Sequence, residues 1–103
     1  MPLRVVWTAQ AREDLHAIKA FIARDAPATA TAFIRGIRLS VGQLRGFPES
    51  GGVVPEVADP RIRELIHGNY RVVYRVTDER VEILTVFHSA RMLDRSDLSD
   101  GTE

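Results

Sequence analysis

Residues 70–77 constrain this chain more than any other stretch. Tyr70, Val72, Tyr74 and Val76 alternate with Arg71, Val73, Arg75 and Thr77. A period of two means a strand whose two faces differ. One face is apolar and aromatic, and the other carries Arg71 and Arg75 pointing the same way. A strand-like run precedes it across Gly68-Asn69, a pair that signals a hairpin turn. Another follows the polar turn at Asp78-Glu79. Together they predict an antiparallel meander over 61–67, 70–77 and 80–88.

Upstream, the period lengthens from that of a strand to that of a helix. Residues 3–7, LRVVW, suffice for one strand, with Trp7 as a core anchor at its end. Thr8 offers a hydroxyl to cap a helix. Ala11, Leu15, Ile18 and Ile22 then form one apolar stripe, widened by Phe21, which predicts a helix over 8–24. Asp25-Ala26-Pro27 breaks it, and proline suits the first position of the next helix because the amide it lacks would be unpaired there. Ala30, Phe33, Ile34, Ile37, Val41 and Leu44 give that helix its stripe over 27–45. Gly36 and Gly42 each weaken it by about 1 kcal/mol relative to alanine, and are expected to admit another backbone closely. A break this short folds the pair into an antiparallel hairpin.

Residues 49–60 hold two glycines and two prolines and read as a loop, pinned to the core by Phe47 and Val57. Strand, two helices, then three strands is an α+β order: an N-terminal strand, a two-helix antiparallel hairpin and a three-stranded antiparallel meander. The helices are expected on the face of Tyr70, Val72, Tyr74 and Val76, leaving Arg71 and Arg75 on an open face. One domain spans 1–93, and 94–103 reads as a frayed polar tail. His16 and His67 read as surface residues.

The chain has 103 residues, enough for a single core. Without cysteine it has no disulfide, thiolate nucleophile or cysteine-based zinc site. His16, His67 and His88 show no metal-ligand spacing, so neither metal nor cofactor is expected. No membrane span or signal peptide is legible, which points to the cytoplasm. The formal net charge is zero, against a bulk electrostatic grip on nucleic acid, and no sequence-specific nucleic-acid binding is expected. Yet thirteen of the fourteen basic residues are arginine, whose planar fork suits carboxylates, phosphates and interface pairs.

Five pieces, WTAQAREDLHAI at 7–18, PATATAFI at 27–34, LRGFPESG at 44–51, IRELIHGNYRVVYRV at 62–76 and ILTVFHSAR at 83–91, carry a resemblance. In this order they resemble the RelE/ParE toxins of type II toxin–antitoxin systems, and the ParE branch more closely. The resemblance implies the same α+β fold and a growth-arresting, plasmid-stabilising toxin silenced by a cognate ParD-like antitoxin. It implies DNA gyrase as the target. The alternatives are a RelE-like ribosome-dependent mRNA endoribonuclease and a non-toxic antitoxin-binding, autorepression partner.

The ribonuclease branch is known for lysines on the first meander strand, arginines on the next strands and a C-terminal tyrosine. Its arginines fall on Arg71 and Arg91, but its lysine positions fall on Ile62 and Glu64, and its tyrosine near Asp97. A second nuclease style pairs a glutamate with a C-terminal histidine, which His88 with Glu64 or Glu56 would imitate. The nuclease set is therefore Arg71, His88, Arg91 and Glu64. His88 also reads as a strand-end residue bonded to backbone. Arg35, Arg38, Arg63, Arg71, Arg75 and Arg91 are the expected partner contacts. A surface pairing with acids such as Glu82 is the plain alternative for Arg71 and Arg75.

Overall fold

The computed structural model describes residues 2–90 and Leu98. Its elements run β1 (Arg4–Trp7), α1 (Ala9–Ala23), α2 (Pro27–Gly42), a 3-10 turn (Gln43–Arg45), β2 (Gly52–Val53), β3 (Ile62–His67), β4 (Tyr70–Val76) and β5 (Arg80–His88). Five strands form one sheet in the order β1-β5-β4-β3-β2. The meander is antiparallel, and β1 lies parallel to β5 at one edge. The loop expected over 49–60 contributes β2, a two-residue strand on β3. No described helix is long and apolar enough to cross a membrane.

The turns follow their residues. Gly68 has φ +59° and Asn69 does not share that sign, the pattern of a type II′ hairpin turn between His67 and Tyr70. The Thr77 hydroxyl accepts from the amides of Glu79 and Arg80 and donates to the Arg80 carbonyl, closing the β4–β5 turn. Thr8 caps α1 by accepting from Ala11 N at 3.2 Å, and its hydroxyl donates to Ile83 O at 2.8 Å. The cap therefore also ties α1 to β5.

The helix pair covers the expected face. Ala11, Leu15, Ile37, Val41 and Leu44 pack on Val72, Tyr74, Val81, Ile83 and Val86, with Tyr70, Val76 and Trp7 at the margin. Phe21 does not widen the stripe, being 64% exposed; it lies on the flank of α1 that turns away from the sheet. His67 is half-buried rather than a surface residue. Its ring meets Phe33 edge-on at 5.2 Å, and a Cβ on Gly36 would lie 2.7 Å from its Cε1. Gly36 thus admits an imidazole, not a backbone, and nothing approaches Gly42.

The face carrying Arg71 and Arg75 is not open. Val54, Ile62, Val73, Leu84 and Phe87 form a second buried cluster there, with Val57 and Leu98 against it. Alternation within β4 alone hid this cluster, because all its members but Val73 come from the loop and the two neighbouring strands. Val57 pins the loop as expected, but Phe47 is 71% exposed, and Val54 takes the anchoring role. Apart from Leu98, the tail lies outside the described residues, as does Arg91.

Tyr74 fastens the loop from the helix side. Its hydroxyl accepts from Gly51 N at 3.0 Å and donates to Pro48 O at 2.8 Å, and burial pushes the phenol pKa up. A Cβ on Gly51 would meet Glu64 O at 2.5 Å and the Tyr74 hydroxyl at 2.6 Å, so only glycine fits. Tyr74→Phe leaves a buried amide and carbonyl short of a partner. It should cost about 1–3 kcal/mol in urea or thermal unfolding.

Candidate functional site

The sheet register places the nuclease candidates before any chemistry is considered. Glu64 and Arg71 share the face opposite the helices, on neighbouring strands. His88 pairs with Tyr70 on β4, one residue before Arg71, and so faces the other way. Its ring packs edge-on against Tyr70 at 5.4 Å, on the helix side. Its Nδ1 accepts from Ala90 N at 3.1 Å. This is the strand-end, backbone-bonded arrangement. The sheet lies between His88 and the Glu64–Arg71 pair.

Arg71 is consumed by its surroundings. Nη1 and Nη2 donate to Glu56 at 2.7 and 2.9 Å, and Nε donates to Glu64. The three side chains are only 10, 19 and 16% exposed. The guanidinium carbon lies 5.2 Å from the centre of the Phe87 ring, within cation–π range. The two carboxylates, Glu56 foremost, raise the Arg71 pKa further above its ordinary value. A guanidinium with a bidentate and a monodentate carboxylate has little capacity left for a phosphate.

The other arginines divide by their contacts. Arg63 staples the loop, donating to the carbonyls of Pro60 and Gly51, each at 2.9 Å, and of Glu49 at 3.3 Å. Arg75 pairs with Glu82 at 3.1 Å and donates to Leu98 O, and Arg80 takes the other Glu82 oxygen. Arg35 and Arg38 are exposed on α2 and hold no ion pair among the described residues.

Those two arginines border two adjoining grooves on the helix hairpin, of about 340 and 360 Å³. Trp7, Leu15, Ile34 and Leu39 give them apolar walls, and Leu39 is 66% exposed. Arg12, Lys19, Arg35 and Arg38 supply four cations, and among the described residues no acid lines either groove. An apolar trough ringed by positive charge fits an acidic amphipathic segment. The described residues contain no cluster of ligating side chains able to hold a metal ion.

Sequence reasoning missed Asp14. Its carboxylate accepts from the Thr85 hydroxyl at 2.6 Å and from Val86 N at 2.9 Å. Beyond Trp7 no strand among the described residues pairs with that side of β5, and the β4–β5 register shifts near Val73/Tyr74. Asp14 supplies the acceptor a neighbouring strand would have supplied. No local motif marks such a need.

A family model described as the ParE toxin of the type II toxin–antitoxin system parDE matches residues 5–93. Toxin RelE2 of Caulobacter vibrioides is 32% identical over 90 residues, 86% of this chain and 98% of that protein. Among solved structures, the chromosomal ParDE system of P. aeruginosa is similar with a TM-score of 0.71 at 24% identity, over 84% of this chain and 95% of that one. The toxin–antitoxin complex RelBE2 of Mycobacterium tuberculosis gives a TM-score of 0.59 at 27% identity, over 85% of this chain and 99% of that one.

Proposed function

The chain belongs to the ParE toxin family of type II toxin–antitoxin systems, and from that premise we propose that it arrests growth by binding DNA gyrase, without nuclease chemistry of its own. One observation carries this reading: His88 stands on the opposite face of the sheet from Glu64 and Arg71, which are bonded to each other. Cleavage by a 2′-oxygen needs a base, an acid and a cation around one phosphate. His88 faces the helix side, while Arg71 on the other donates from all three of its nitrogens to Glu56 and Glu64. Ile62 and Glu64 stand where the ribonuclease branch carries lysines. Expression of His88→Ala in the cytoplasm without antitoxin should still arrest growth and induce the DNA-damage response, with transcripts intact by primer extension. Loss of arrest in a folded His88→Ala protein is the contrary result.

The groove along the helix hairpin is the proposed seat of the antitoxin. Its four cations and apolar walls complement an acidic helix. Among the expected partner arginines that lie in the described residues, this leaves Arg35 and Arg38 as the contacts, since Arg63, Arg71 and Arg75 are engaged within the chain. Arg35→Glu with Arg38→Glu should weaken antitoxin binding by roughly tenfold or more and flatten its dependence on salt in calorimetry. Both side chains are exposed, so the melting temperature should hold.

A further inference from the structure

Of the basic residues that line the helix-hairpin grooves, one gains and loses its charge near neutrality. Arg12, His16 and Lys19 stand four and three residues apart on α1, the spacing that sets side chains in one row along a helix. All three line the groove of about 340 Å³, and Arg38 lines it from α2. His16 is the middle member of that row and is exposed. Trp7 and Leu15 supply the apolar wall beside it. The other two histidines lie elsewhere, with His67 packed on Phe33 and His88 on Tyr70.

The charges that share the groove with His16 are of one sign. α1 contributes Arg12 and Lys19, α2 contributes Arg38, and β1 contributes only the uncharged Trp7. Asp14 is turned to β5, where it accepts from Thr85 and Val86. Glu13 is exposed three residues before His16 and lines neither groove. We infer that His16 meets a carboxylate of the antitoxin and that its ring takes up a proton when the antitoxin binds. The inference rests on the groove being the antitoxin's seat, and it names the residue that makes the grip depend on pH. A carboxylate within about 4–6 Å favours the charged form of an imidazole. An acidic segment in the groove brings that carboxylate and offsets the like charges of Arg12, Lys19 and Arg38. The sign follows from linkage. The complex holds the proton more tightly than the free toxin, so the added affinity is present at acid pH and fades as pH rises. The antitoxin is gripped harder as the surroundings acidify.

Calorimetry of the toxin with its cognate antitoxin, in buffers of different ionisation heat, tests this. A tenfold preference for the charged ring gives about fivefold tighter binding near pH 6 than near pH 8, and an uptake of about half a proton between them. His16→Gln keeps a polar side chain that suits a helix. It should lose both the uptake and the pH trend, while the melting temperature holds. His16→Lys should bind near pH 8 as tightly as the unaltered toxin does near pH 6. Glu13→Gln should leave the uptake in place. Uptake that persists in His16→Gln overturns the assignment, and so does its absence from the unaltered toxin. If His16→Gln does not fold, NMR titration of the His16 ring decides. The titration should move to higher pH in the complex, and an unmoved one overturns the contact. The charge reversals at Arg35 and Arg38 test the groove separately. Weakened binding there, with no proton taken up at His16, retires the contact and keeps the groove. Uptake that His16→Gln abolishes, with no effect of the reversals, keeps His16 and retires Arg35 and Arg38 as contacts.

Discussion

Arg71→Ala is expected to destabilise the fold by about 3–5 kcal/mol, the usual cost of removing one member of a buried ion pair. The reason is what it leaves behind. Glu56 and Glu64 would face each other and an apolar cluster of Val54, Ile62, Val73, Leu84 and Phe87, with their shared countercharge gone. Glu56 would also lose both bonds that tie its loop to β4. For a domain this size the drop should lower the melting temperature by roughly 15 °C or more. Replacing all three charges by apolar residues, as Arg71→Met with Glu56→Leu and Glu64→Leu, should recover most of that loss, because buried pairs are often dispensable when removed together. The repaired variant should also match the unaltered chain in the growth arrest proposed for it. If the guanidinium held a phosphate in a reaction, stability would return and activity would not.

The arrangement explains why an arginine at the family's nuclease position is weak support for nuclease action. Its position in β4 was legible in the sequence, and so was the face it points to. Its partners were not. Glu56 sits fifteen residues upstream in a stretch that reads as a featureless loop, and only the folded loop brings it within 2.7 Å. Local pattern carried what depends on local period: both helices, the Thr8 cap, the Gly68-Asn69 turn and the three long strands. It did not carry what depends on chain return. The parallel placement of β1 beside β5, the second buried cluster and the Asp14 contact to β5 all join residues far apart in sequence. Phe21, Phe47 and His67 show the same limit from the other side. Their residue types suggest a place, but burial was set by the elements packed around them.

The groove was half legible. The stripes of α1 and α2 announced a helix hairpin, and Arg35 and Arg38 fell off the stripe as expected for a wet face. That Leu39, Trp7 and Ile34 would wall a trough between those arginines required the packing angle of the two helices. The charge pattern across the molecule then sorts itself. Arginines on the sheet face are matched by Glu56, Glu64 and Glu82, while those on the helix hairpin have, among the described residues, no acid in the grooves they line. A net charge of zero is thus compatible with one face that attracts an acidic partner.

Supercoiling of relaxed plasmid by purified gyrase, with the purified toxin added, tests the central claim most directly. Action by binding predicts loss of supercoiling, accumulation of cleaved DNA and reversal by stoichiometric antitoxin. His88→Ala should behave as the unaltered chain, since action by binding asks no proton transfer of the imidazole bonded to Ala90 N. The contrary result is equally specific. Unimpaired supercoiling, with ribosome-bound transcripts cut in phase with codons and cutting reduced by about 10²–10⁴-fold in His88→Ala, is the signature of general acid–base catalysis. It would place the chain among the ribonucleases and set aside the reading of Arg71 as a structural residue.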